Sequence, residues 1–164
     1  MSQPGQSYFE VGRNRIRTKS DSPTYHANWL VAELDGQVAG ALNGYPIAKP
    51  YDPGDVSELP DVYVPMIKLE AVAEGTWYLQ VASVFPEHRG KGVGTAILKQ
   101  SEVIARTSGP NRMPIIVETA NENAHAIYRR FGFANWKRLP LVPFPGCDDV
   151  GEWILMGKDV AQSS

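Results

Sequence analysis

The stretch Val84-Phe85-Pro86-Glu87-His88-Arg89-Gly90-Lys91-Gly92-Val93-Gly94-Thr95 joins three local signals. An apolar strand, Tyr78 to Val84, runs into a turn marked by Pro86. Three alternating glycines follow, Gly90, Gly92 and Gly94, and a helical segment opens at Thr95. Glycines let the backbone approach a ligand closely and take conformations barred to other residues. A helix start leaves N–H donors unpaired, and its dipole favours an anion there. Arg89 and Lys91 add positive charge beside those donors. The arrangement suits a phosphate. A Walker loop needs Gly, four residues, then Gly-Lys-Ser/Thr; Gly90-Lys91 is followed by Gly92 and position 85 is Phe, so that spacing fails. The dinucleotide fingerprint needs a third glycine where Thr95 stands, so it fails too.

The loop instead fits Arg/Gln, two residues, Gly, one residue, Gly/Ala, read as Arg89, Gly92 and Gly94, after Val84-Phe85-Pro86 as Val-x-Pro. A second block, Asn121-Glu122-Asn123-Ala124-His125-Ala126-Ile127-Tyr128-Arg129-Arg130-Phe131-Gly132-Phe133, supplies Asn, Ala three on, Tyr seven on, then Gly-Phe. In order and separation the two blocks resemble the GNAT superfamily of N-acetyltransferases over roughly Trp29 to Lys158. The resemblance implies an α/β (α+β) fold, a mixed, mostly antiparallel twisted sheet flanked by helices, with acetyl-CoA as co-substrate.

A chain of 164 residues is expected to form one domain. We divide it into a polar segment, 1–28, and an acetyltransferase domain, 29–160. A hydrophobic content of 43% can furnish a core. The net charge of −2 offers no electrostatic case for nucleic acid. No apolar run approaches the ~20 residues that span a bilayer, and Met1 to Gln6 lacks a secretory pattern; a cytoplasmic protein is the expectation. Cys147 is the single cysteine, so no internal disulfide is expected, and we read it as an inert loop thiol.

Along the chain, Tyr8, Phe9, Val11 and Ile16 suit a short amphipathic helix, and the cluster Arg13, Arg15, Arg17 and Lys19 reads as a solvated face. Trp29 to Leu34 and Gln37 to Leu42, joined by Asp35-Gly36, read as a hairpin. Residues 45–65 form a long loop rich in Pro and acid. Met66 to Val72 suits a short helix before Gly75. Thr95 to Thr107 is a helix with Ile97, Leu98, Ser101, Ile104 and Ala105 on one face, stopped by Ser108-Gly109-Pro110. Ile115 to Thr119 is a buried strand, and Asn121 to Phe131 a second helix closed by Gly132. Phe133 to Arg138 and Trp153 to Lys158 are strands separated by a Pro- and Gly-rich loop. Family members place a strand and one or two helices before the hairpin, whereas only 28 residues precede Trp29 here. The first strand and helix are therefore expected to be reduced or absent, and with them part of the acceptor wall.

The resemblance implies that Ala82, Ser83 and Val84 offer backbone groups to pantetheine, an N–H near Ala82 polarising the thioester carbonyl as an oxyanion hole does. It implies that Arg89, Gly90, Lys91, Gly92, Val93, Gly94 and Thr95 cradle the pyrophosphate. Tyr128 is the implied general acid: a thiol of pKa ~8.5 leaves readily and a phenol of pKa ~10 can donate to it. Asn121 either bonds pantetheine or caps its helix. The strand before the glycine loop has Tyr78 where many members carry a base Glu. Tyr78 through water, Glu118, Glu70 and Asp148 remain the candidate bases, with His88 placed at the surface or near the phosphates and His125 in solvent. No three-ligand spacing calls for a metal. The implied partner is a small-molecule or peptide amine, with no nucleic acid and no membrane. The alternatives to an enzyme are a non-catalytic acyl-CoA-binding module and a subunit completed by another chain. An exposed edge on the Trp29–Leu34 strand further predicts a homodimer.

Overall fold

Asp35 and Gly36 take φ of 52° and 75°, the left-handed pair that a two-residue hairpin needs to match strand twist. They join β1 (Trp29–Leu34) to β2 (Gln37–Pro46) with Leu34 opposite Gln37. The computed structural model describes residues 7–57, 59–143 and 151–160. Cys147 and Asp148 lie outside them. β2 pairs antiparallel with β3 (Trp77–Val84), which closes one three-stranded sheet in the order β1-β2-β3. The second sheet, in the order β4-β6-β5, joins β4 (Arg112–Glu118), β6 (Glu152–Asp159) and β5 (Ala134–Pro140), again antiparallel throughout.

The expected single mixed sheet is therefore divided. β3 and β4 are linked by α3 (Val93–Thr107), the crossover that parallel neighbours use, yet no ladder joins them. A bulge contributes to the parting. Asn43 pairs with Val81 and Gly44 with Leu79, so Gln80 is an extra residue on β3, and such insertions bend and twist a strand. Trp77 and Leu79 before it, and Ala82 and Val84 after it, all pack into one core. Gln80 and Val81 accordingly share the opposite face with Tyr78.

Alternation along the strands builds a core on each face. On one face Ile97, Leu98 and Ala105 of α3 and Tyr128 of α4 (Glu122–Arg130) pack with Leu79, Ile115, Val117, Ile154 and Met156. On the other, Leu69 of α2 (Val64–Val72) and Ala73 pack with Tyr78 and Leu155. Leu155 and Leu69 are fully buried, so truncating either removes the contacts that seat α2.

Before β1 stands α1 (Tyr8–Thr18). Ser7 and Glu10 form a capping box, the Ser7 hydroxyl accepting from the Glu10 N–H at 3.3 Å and Glu10 Oε2 from the Ser7 N–H at 2.8 Å. Among the described residues no strand precedes β1, and α1 leads into it through a short return. The return is tied down by buried Asn43, whose amide donates to the carbonyls of Pro23 and Asn28 at 3.1 and 3.0 Å.

Candidate active site

The parting of β3 from β4 leaves a cavity of about 280 Å³. Gln80, Val81 and Ala82 line it from β3, Ile115 to Glu118 from β4, and Asn121, Ala124 and Tyr128 from α4 and its cap; Trp153 closes it from β6. Four residues singled out in the sequence, Ala82, Glu118, Asn121 and Tyr128, thus meet in one space. A larger hollow of about 530 Å³ lies beside α1, lined by Phe9, Arg13, Ile16 and His26 among others. It holds no carboxylate, whereas the smaller cavity holds Glu118 and Tyr128, so the smaller cavity is the candidate site.

Tyr128 is buried against Phe133, ring centroids 5.6 Å apart. Burial raises its phenol above the ordinary tyrosine value, so it keeps its proton at neutral pH. Asn121 accepts from the Ala124 N–H at 3.1 Å through Oδ1 and caps α4. Its capping role is therefore built in, while its residue still lines the cavity.

The glycine loop extends from the end of β3. Val84 packs on the core and Ser83 is exposed. Arg89, Gly90, Lys91 and Thr95 are exposed, and the Arg89 guanidinium donates to the Val84 carbonyl at 3.4 Å. The helix begins at Val93, two residues before the expected Thr95, because Gly92 is its N-cap at φ 84°. No side chain caps that end, and the first in-helix donor is the Ala96 N–H, bonded to the Gly92 carbonyl at 3.0 Å. The donors before it are free for an anion. Val93 is buried and fixes the first turn on the core, and Gly94, with an ordinary φ, lies against Val84. Gly92→Val puts a β-branched side chain in the left-handed region, a strain of about 1–2 kcal/mol. Acetyl-CoA is expected to raise the melting temperature of the parent and not that of this variant; equal stabilisation of the two proteins removes the loop from cofactor binding.

The candidate bases separate. Glu118 lines the cavity. Tyr78 is buried, and desolvation, with Glu70 nearby, raises its phenol well above the ordinary value, so it keeps its proton at neutral pH. Glu70 sits on α2, half-buried, accepting from the Tyr51 hydroxyl at 2.8 Å. His88 is buried rather than at the surface, and its Nδ1 has no protein partner. His125 is half-buried and reaches Asn135 Oδ1 at 3.4 Å. Among the described residues no group of three or more His, Cys, Asp or Glu is placed to hold a metal ion, and no helix is long and apolar enough to cross a membrane.

Two residues escaped the sequence reading. Gln80 Oε1 and Trp153 Nε1 are buried in the cavity wall without hydrogen-bond partners. Buried polar atoms are normally paired, so an acceptor and a donor facing this space mark it as a binding site. Only the pairing register, which makes Gln80 a bulge, could have flagged the first.

The described geometry has close counterparts in fold. Ard1 from Thermoplasma volcanium superposes with a TM-score of 0.63 at 15% identity, covering 97% of this chain and 84% of that one. Chaetomium thermophilum Naa20, in complex with a bisubstrate analogue, gives 0.62 at 20% identity, covering 94% and 75%. In sequence, N-alpha-acetyltransferase 30 of Schizosaccharomyces pombe is 31% identical over 62 residues, which span 38% of this chain and 41% of that protein. The Acetyltransferase (GNAT) family matches residues 6–133, from the start of α1 to the end of the second motif, and the chain belongs to that family.

Proposed function

We propose that this chain transfers an acetyl group from acetyl-CoA to the primary amine of an acceptor by direct attack on the thioester. The observation that carries this reading is the cavity between β3 and β4, where the free strand edge at Ala82 and the protonated phenol of Tyr128 face one space. The glycine loop continues from the same strand. The amine-specific names of the relatives support the choice of acceptor.

In this reading Glu118, the carboxylate of the cavity, takes a proton from the acceptor ammonium. The freed nitrogen lone pair attacks the carbonyl carbon, whose oxygen is held by the backbone N–H at Ala82. A C–N bond forms and the C–S bond breaks. Tyr128 donates its hydroxyl proton to the leaving sulfur, the surplus proton on nitrogen returns through solvent to Tyr128, and Glu118 releases its proton to solvent. Thiol release from acetyl-CoA across alkylamines, diamines, amino acids and peptides with free N-termini tests the proposal. Release that depends on the amine supports it; no release from a protein that binds acetyl-CoA overturns it in favour of a binding module.

We also propose a homodimer built on β1. Among the described residues this strand pairs only with β2, and Leu30 and Val31 on it are 45% and 57% exposed. An apolar edge with unpaired backbone groups invites a second copy. Light scattering at micromolar concentration is expected to return twice the chain mass, and a single-chain mass refutes the dimer.

A further inference from the structure

The face of the sheets opposite α3 and α4 carries a second polar constellation. Residues 47–76, between β2 and β3, include six acids and two lysines, a net charge of −4 in a chain whose total is −2. The remainder is net positive, so the acidity is concentrated on this covering segment. Within it the Tyr51 hydroxyl donates to Glu70 Oε2 at 2.8 Å. Tyr45 and Tyr78 meet edge to face at 5.6 Å, and both interact electrostatically with Glu70.

No lysine or arginine is paired with Glu70; the ion pairs among the described residues are Lys49–Glu74, Arg112–Asp159, Arg138–Glu152 and Lys158–Glu102. A half-buried carboxylate beside three tyrosines, hydrogen-bonded by one of them and with no lysine or arginine paired to it among the described residues, attracts an ammonium by charge and charge-assisted hydrogen bonding. It adjoins the acceptor end of the cavity: Ile116 and Trp153 line that cavity and also pack against the Tyr78 cluster.

Distance separates this receptor from the reacting centre. Four residues of β3 lie from Tyr78 to Ala82, about 13 Å in a regular strand, shortened by the bulge to roughly 10 Å. One nitrogen cannot occupy both places. Resting on the acetyl-transfer reading above, we propose that Glu70, beside Tyr45, Tyr51 and Tyr78, binds a second cationic group of the acceptor. The preferred acceptor then carries a primary amine and another positive charge about 10 Å away.

The probes are α,ω-diamines of increasing length and n-alkyl monoamines of matching length. With the parent protein, kcat/KM for the best diamine is expected to exceed that of its matched monoamine by ~10-fold or more, the scale of one charge-assisted contact. Glu70→Gln should erase that preference by raising KM for the diamine while kcat and the monoamine KM stay within about threefold. Tyr51→Phe, which removes one hydrogen bond and keeps the ring, should lie between. Burial raises the Glu70 carboxyl above the usual range, with the Tyr51 bond opposing. The stability carried by the protonated group is thus lost as pH rises through that raised value, so Glu70→Gln should melt no lower than the parent at pH 7. A misfolded variant is thereby distinguished from a loss of recognition.

Calorimetric binding of the diamine, without acetyl-CoA, separates the two proposals. Binding that Glu70→Gln abolishes, with no thiol release from any amine, overturns the transferase reading and upholds the cation subsite. Monoamines turned over as well as diamines, or diamine binding indifferent to Glu70→Gln, overturns the subsite and leaves acetyl transfer standing.

Discussion

Tyr128→Phe is expected to lower turnover by ~10²–10⁴-fold, the usual contribution of a positioned general acid, while acetyl-CoA affinity changes little. The ring packs on Phe133 inside the α3–α4 core, and Phe preserves that packing. What disappears is one proton held at the cavity wall. Burial raises the phenol, so Tyr128 remains protonated through the neutral range, and deprotonation of this residue should depress the rate only above the ordinary tyrosine value. The variant should show its loss in kcat under conditions where chemistry limits the rate, because an interaction made only in the transition state lowers kcat and kcat/KM together. An unchanged single-turnover rate removes Tyr128 from the mechanism.

Lys158→Ala is expected to destabilise the protein by about 3 kcal/mol, the lower end for breaking a buried pair. Lys158 of β6 pairs with Glu102 of α3, and both side chains are about four-fifths buried, at 17% and 21% exposure. The same ammonium donates to the Phe131 carbonyl at 2.8 Å, just past the end of α4, and lies 4.4 Å from the Phe131 ring centroid. One cation therefore joins both helices of this face to the sheet, and α4 carries Tyr128. Its removal leaves the Glu102 carboxylate and a helix-end carbonyl without their partner. For a domain of this size the loss corresponds to roughly 6–12 °C in melting temperature. Lys158→Met with Glu102→Leu should recover most of it, since an apolar pair carries no desolvation penalty. Urea unfolding of the single and double variants checks both statements. A midpoint for Lys158→Ala within error of the parent overturns the assignment.

Local chemistry made much of this protein legible. Asp35-Gly36 dictates a tight hairpin because both residues tolerate positive φ. The pattern around Tyr8, Phe9, Val11 and Ile16 predicts α1, and the family match, which begins at residue 6, includes that helix. Asn121 was open between ligand contact and cap until its bond to the Ala124 N–H was in view. α3 starts at Val93, two residues before the expected Thr95, because Gly90 and Gly92 both turn left-handed and Gly94 does not, which a run of alternating glycines does not reveal. His88, expected at the surface or near the phosphates from its place beside the glycine loop, is buried by the single turn Pro86–His88 that precedes the loop.

The sequence by itself determined the family and the order of strands and helices. Those properties depend on spacing within one loop or one helix. The tertiary structure alone supplied the bulge at Gln80 that bends β3 where the sheet parts, because a bulge is a property of two paired strands. It alone joined Tyr51 to Glu70 across 19 positions and Glu102 to Lys158 across 56. Such contacts arise when burial forces distant polar groups to find one another, and no periodicity records them. The same reason explains why the acceptor side was the harder half to read. Its candidate groups come from a loop, a short helix and three strands, and only packing brings them to one face.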